Sequence, residues 1–167
     1  MVQTNSPKSA GDKLRIRQRL DRLTRRVDAA GAVDLARGRM LFEATCTAGH
    51  STSNSGSGFD PSLSGSKNRT TEAILTAVLD PSQAGENVFR TFHVETTEGE
   101  SYDGLFGDET RDFRTVRFAG VARQVVPITS IKKAGYVAGS SQMPDGLVEA
   151  PDDSQITDLV RYGQSPK

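Results

Sequence analysis

Apolar residues recur at helical spacing in four stretches of the chain and at every second position in a fifth, and this change of period predicts its layout. Between Asp12 and Asp28, Ile16, Leu20, Leu23 and Val27 fall on one helical face. Ala30-Gly31 breaks that helix. Asp34 is placed to cap the next, which runs to Thr45 and carries Leu35, Met40, Leu41 and Phe42. Gly38 sits one turn before Phe42, and an interior glycine costs about 1 kcal/mol relative to alanine. Its presence points to close approach by another helix. Residues 51–69 read as a loop that only Phe59, Pro61 and Leu63 can anchor. Thr70 or Thr71 then caps a short helix bearing Ile74, Leu75, Val78 and Leu79, stopped by Asp80-Pro81. Near the end, Asp153 or Ser154 caps a helix whose apolar face is Ile156, Leu159, Val160 and Tyr162, and Gly163 ends it.

Period two takes over at about Asn87, where Val88, Phe92 and Val94 alternate with Phe89, Thr91 and His93. Thr97-Glu98-Gly99-Glu100 reads as a hairpin turn. Ser101–Phe106, Phe113–Phe118 and Arg123–Ile128 continue the strand signature. Four successive strands predict an antiparallel meander, and the fold class is α+β. The alternation puts His93 opposite Phe92 and Val94, on a face read as solvent-exposed. After Ile131 the composition returns to loop over Ala134–Gln142 and reaches Met143-Pro144-Asp145-Gly146-Leu147. Packing is the common role of methionine, but a proline-fixed methionine in a loop is an unusual place for it.

Composition narrows the function classes. The 167 residues carry zero formal net charge and fit one domain with an appendage. There is no global charge argument for nucleic acid or an anionic membrane. Aromatic content is 6% without tryptophan, which is poor material for a stacking platform. The single cysteine excludes an intramolecular disulfide. No apolar run is long enough for a membrane span, and the polar N-terminus has no signal-peptide core. The expectation is a cytosolic protein or a fragment of a larger exported one. Residues 1–11 read as disordered, and the basic helix 12–28 as a solvated element whose narrow stripe docks on its own domain or on an absent neighbour. Membrane, nucleic-acid and acidic-partner readings of that helix are weaker, because the stripe lacks large aromatics.

The chemistry-bearing stretch is Cys46-Thr47-Ala48-Gly49-His50. With cysteine at 49 it would be C-x-x-C-H, in which two thiols add to porphyrin vinyls and the histidine ligates iron. With Gly49 there, the pentapeptide alone leaves two readings open. One is a tethered cofactor with an imidazole one turn away; the other is a helix end with a buried cysteine and a surface histidine. A zinc site from Cys46, His50 and His93 is short of ligands, and a nucleophilic Cys46 lacks an orienting third group.

The order of parts adds to this. A capped helix with Gly38 and Phe42, Cys46 and His50, Pro61-Ser62-Leu63, a middle helix ending in Leu79-Asp80-Pro81-Ser82, strands, Met143-Pro144-Asp145-Gly146-Leu147 and a terminal helix with Tyr162 resembles class I cytochrome c, in the haem-binding domain type abundant in planctomycetes. The resemblance spans roughly Val33 to Gly163. It implies a cytochrome c-like helical haem domain at 32–165, interrupted by a β insert at about 87–132, with 1–31 as a linker-like start. It implies a thioether at Cys46, His50 and Met143 as the axial ligands of haem iron, and Pro61 carbonyl as acceptor for His50 Nδ1. Gly38 and Phe42 would cross the last helix at Leu159 and Tyr162. Gly49 departs from the pattern, so the cofactor would be haem c with a single covalent attachment or non-covalent haem. The implied role is electron transfer without catalytic residues, in a periplasmic or otherwise exported setting, with a redox partner protein or a fused dehydrogenase domain. The alternative is a degenerate, non-redox binding module that has lost haem.

Overall fold

The computed structural model describes residues 8–51, 59, 62–84, 90–118 and 122–165. Pro61, Val88, Phe89 and the first seven residues, all part of the expectations above, lie outside them. The chain is mixed α+β, with five α-helices and a five-stranded antiparallel sheet among the described residues.

Helix α1 (Ala10–Ala29) starts at Ser9, whose side chain accepts from Asp12 N while Asp12 reaches back to the Ser9 amide. Asp12 is held at about 2, below its usual 3.8, first because the Ser9 side chain donates to it and next because Arg15 does. A depressed carboxyl contributes in full above its unfolded value and loses that contribution as pH falls through its folded one. The α1 N-terminus is therefore expected to hold at pH 4 and to fray as pH approaches about 2. An NMR titration of the Ser9 amide checks this; an inflection at the ordinary aspartate value would contradict it.

Asp34 caps α2 (Leu35–Thr45), accepting from Arg37 N at 2.9 Å. A 3-10 helix, Leu63–Asn68, precedes α3 (Thr71–Leu79), which Thr70 caps and Asp80 ends. A single turn, α4 (Pro81–Ala84), follows. The last helix, α5 (Asp153–Gln164), is capped by Asp152 rather than by Asp153 or Ser154. Asp152 Oδ1 accepts from Ser154 N and Gln155 N at 2.8 and 2.9 Å, and the Gln155 side chain accepts from Asp152 N at 2.9 Å. A complete capping box moves the start one residue earlier.

The helices share one core, in which Leu23, Val27, Phe42, Leu75, Ile156 and Val160 are buried. Each such side chain contributes about 1.5–3 kcal/mol by leaving water. Leu23 and Val27 are fully buried, so the boundary drawn at residue 31 is not a break in packing. Helices α2 and α5 cross at Gly38, where an added Cβ would lie 2.2 Å from Asp158 O and 2.9 Å from Tyr162 Cβ. The Phe42 and Tyr162 rings meet beside the crossing with centroids 5.6 Å apart. Asp158, buried in the same contact, accepts from Asp34 N at 2.9 Å and pairs with Arg37.

The sheet runs β4-β3-β2-β1-β5, with β1 Arg90–Thr96, β2 Ser101–Glu109, β3 Phe113–Arg117, β4 Arg123–Pro127 and β5 Ile131–Ser141. The first four form the expected meander. The fifth overturns the loop reading of Ala134–Gln142: β5 lies antiparallel on the far side of β1, pairing Phe92 with Tyr136 and Arg90 with Ser141. Most of its side chains are exposed, so its place comes from ladder hydrogen bonds at a sheet edge rather than from a buried alternation. β2 also runs past Phe106, where the strand signature ends, to Glu109, with a bulge between Phe106 and Glu109. Phe92, Val94, Val116 and Val126 make a second core, distinct from that of the helices.

His93 is not the open surface residue expected. It is half-buried, and its Nδ1 lies 2.8 Å from Asp103 Oδ1, on the residue directly opposite in β2.

Candidate functional site

Cys46 is the C-cap of α2. Its carbonyl accepts from Gly49 N at 3.2 Å and from His50 N at 2.8 Å, so the chain makes one more turn and delivers His50 a helical turn beyond the thiol. Thr45 Oγ1, which donates to Leu41 O at 2.6 Å, stands 3.4 Å from Cys46 Sγ. Just past His50, Leu63 N donates to Ser51 O at 2.8 Å and brings the 3-10 helix back alongside the histidine.

These turns open into a cavity of about 330 Å³, within the size range of small-molecule and cofactor sites. Cys46 and His50 line it from the end of α2, together with Phe42. Ile74, Leu75 and Val78 of α3 and Ile156, Leu159 and Val160 of α5 supply apolar wall. Met143 lines it from the loop after β5, with Ser141 and Val148 as its neighbours in the lining. Met143 N donates to Ser141 Oγ at 3.1 Å, and Pro144 after it restricts the methionine to extended backbone. The structure thus brings Cys46, His50 and Met143 to one cavity although the methionine is far from the other two in sequence. Gly49 belongs to the turn between the first two, Pro144 to the loop of the third, and neither is a lining residue. The acceptor role assigned to Pro61 lies outside the described residues.

The lining also holds Ser62, Ser66 and Arg69, none of which the spacing of the sequence singled out for a site role. Arg69 is the one arginine or lysine among the described lining residues. Its position just after the 3-10 helix, with its carbonyl accepting from Gln164 Nε2 at 3.2 Å, required knowing that α5 returns to this point.

Among the described residues no group of three or more His, Cys, Asp or Glu is arranged to hold a metal ion. The donors at the cavity are instead one thiol, one imidazole and one thioether in largely apolar surroundings. That set is too small for a tetrahedral zinc site, but it suits a metal that arrives with most of its ligands already in a planar organic frame. No helix among the described residues is long and apolar enough to cross a membrane.

No protein-family model and no curated protein sequence matches this chain.

Proposed function

We propose that the protein is a haem-binding electron-transfer domain in which His50 and Met143 ligate iron and Cys46 forms one thioether. The observation that carries this is the convergence of Cys46, His50 and Met143, distant in sequence, on one largely apolar cavity. A bound haem supplies one-electron exchange at its iron. The protein's part is to hold and tune it. His50 offers a ring nitrogen, Met143 a soft sulfur that favours the reduced metal, and the apolar walls from α3 and α5 would keep water from the cofactor faces. His50 and Met143 together would hold a bound haem for electron transfer rather than for substrate turnover. A redox partner protein, or a dehydrogenase domain in the same polypeptide, is the corresponding donor or acceptor.

Covalent attachment would need no oxidant, because the Cys46 S–H would add across one vinyl double bond, giving an S–C and a C–H bond with nothing lost. Gly49 offers no second thiol, so one vinyl stays conjugated and the visible bands lie at longer wavelength than in a doubly attached haem. The test is expression alongside haem-attachment machinery, then mass spectrometry of denatured protein. The wild type is expected to carry the mass of one haem, and Cys46→Ala to lose that mass while still binding haem reversibly. A colourless wild type that takes up no added haem would leave the non-redox binding module as the better reading.

A further inference from the structure

The start of the chain is fastened to the loop that carries Met143. Lys8 Nζ donates to Asp145 Oδ1 at 2.8 Å and to Asp80 Oδ1 at 2.9 Å. The lysine side chain is 15% exposed, that of Asp80 9% and that of Asp145 32%, so the Asp80 half of the contact is largely withdrawn from solvent and the Asp145 half only partly so. The Ser9 cap fixes the backbone next to Lys8. Farther along α1, Arg19 Nη2 donates to Val148 O at 2.6 Å, and Arg22 holds Asp153 through two bonds of 2.9 and 3.2 Å. Lys8, just before α1, and Arg19 and Arg22 within it therefore meet positions 145, 148 and 153 in order. Within it Gly146, at φ +83°, turns the chain so that its carbonyl accepts from Glu149 N at 3.0 Å.

Met143 is held on both sides. Ser141 takes its amide on one, and Lys8 takes Asp145 on the other. Lys8 also ties that loop to Asp80, at the end of α3, where Val78 and Pro81 line the same cavity as Met143. We infer that Lys8 is a positioning residue for Met143: its ammonium, shared by Asp80 and Asp145, seats the methionine loop against the end of α3. Without it, two carboxylates lose the cation that draws them together, and the loop has reason to part from that wall. The consequence at iron rests on the haem reading; the seating of Met143 does not.

The chain has three methionines, Met1, Met40 and Met143, so a ¹³C-methyl-methionine spectrum reports the loop directly in cofactor-free protein. In Lys8→Ala the Met143 methyl is expected to move toward its random-coil position, and amides at 145–149 to exchange about tenfold faster, as for loss of a partly buried ion pair. Met40, 64% exposed on α2, serves as the internal control and stays in place. Lys8→Arg is expected to restore most of the wild-type spectrum. With haem bound, Lys8→Ala is expected to weaken the sulfur-to-iron absorption band. An unmoved Met143 methyl in Lys8→Ala, or an arginine variant no better than alanine, overturns the inference. A displaced methyl with an unchanged band overturns the link to the ligand. Failure of the wild type to bind haem sinks the functional reading alone, since the methyl shift still decides whether Lys8 seats Met143.

Discussion

Replacing Gly38 by leucine will cost at least about 3 kcal/mol and lower the melting temperature by about 6–12 °C. Even the first carbon of the new side chain would lie 2.2 Å from Asp158 O and 2.7 Å from Asp158 C, which are backbone atoms of α5 and have no rotamer to escape into. The helices must separate instead. That removes the Phe42–Tyr162 ring contact and pulls Arg37 from the buried Asp158 carboxylate. Helix propensity acts the other way, favouring a side chain over glycine by up to about 1 kcal/mol, and is outweighed. Because Phe42 and Leu159 line the cavity, haem uptake should fall along with stability. Thermal unfolding of the cofactor-free protein measures the effect, and a variant melting within about 2 °C of wild type would show that the crossing is looser than described.

His50→Ala tests the site with the opposite signature. His50 is only half-buried, so the cofactor-free variant should stay within about 0.5 kcal/mol of wild type in stability. Haem affinity, by contrast, should drop at least about 100-fold, since loss of an outer-shell partner alone costs up to that much and the proposed role of His50 is that of a direct ligand. Titration of cofactor-free protein with haem, followed by visible absorption, separates the two quantities. Equal affinity in the variant would remove His50 from the site, whatever else the cavity holds.

How much of this could be read from residue order differs from element to element. Helices α1, α2, α3 and α5 were legible because each has a capping side chain and an apolar stripe at a period of 3.6, and both are local signals. The stripe Ile16, Leu20, Leu23, Val27 could be seen, but not what it docks against; the answer is α3, in the middle of the chain, and α5, near its end. β5 was missed because Lys132, Lys133, Ala134, Gly135 and Gly139 are weak strand formers. The extended backbone of Lys133, Ala134 and Gly135 is set by pairing with Glu95, Val94 and His93 of β1, a contact that a window of sequence does not contain. His93 shows the same limit at one residue. Alternation gave its face, while its partner Asp103 depends on the register of β1 against β2.

At the site, the spacing of Cys46 and His50 was enough to predict that one turn would present both. Met143 could be tied to them only through family resemblance, since nothing near it in sequence points to α2. The lining Ser66 and Arg69, and the Lys8 contact that seats the methionine loop, had no sequence signal at all. A serine in a Ser/Gly-rich loop and a lysine in a polar start look like every other solvated residue until the fold places them.

The pairing of Arg90 with Ser141 sets the first residue of β1 beside the last of β5, so the polypeptide leaves the helical body and comes back at nearly the same spot. A module spliced in through adjacent ends behaves as a plug-in: hairpins can be lengthened, trimmed or exchanged at its outer rim while the methionine loop re-enters unmoved. Kindred chains should therefore tolerate wide size variation in this region, and a short bridge joining residue 84 to residue 142 is the natural minimal version of the domain.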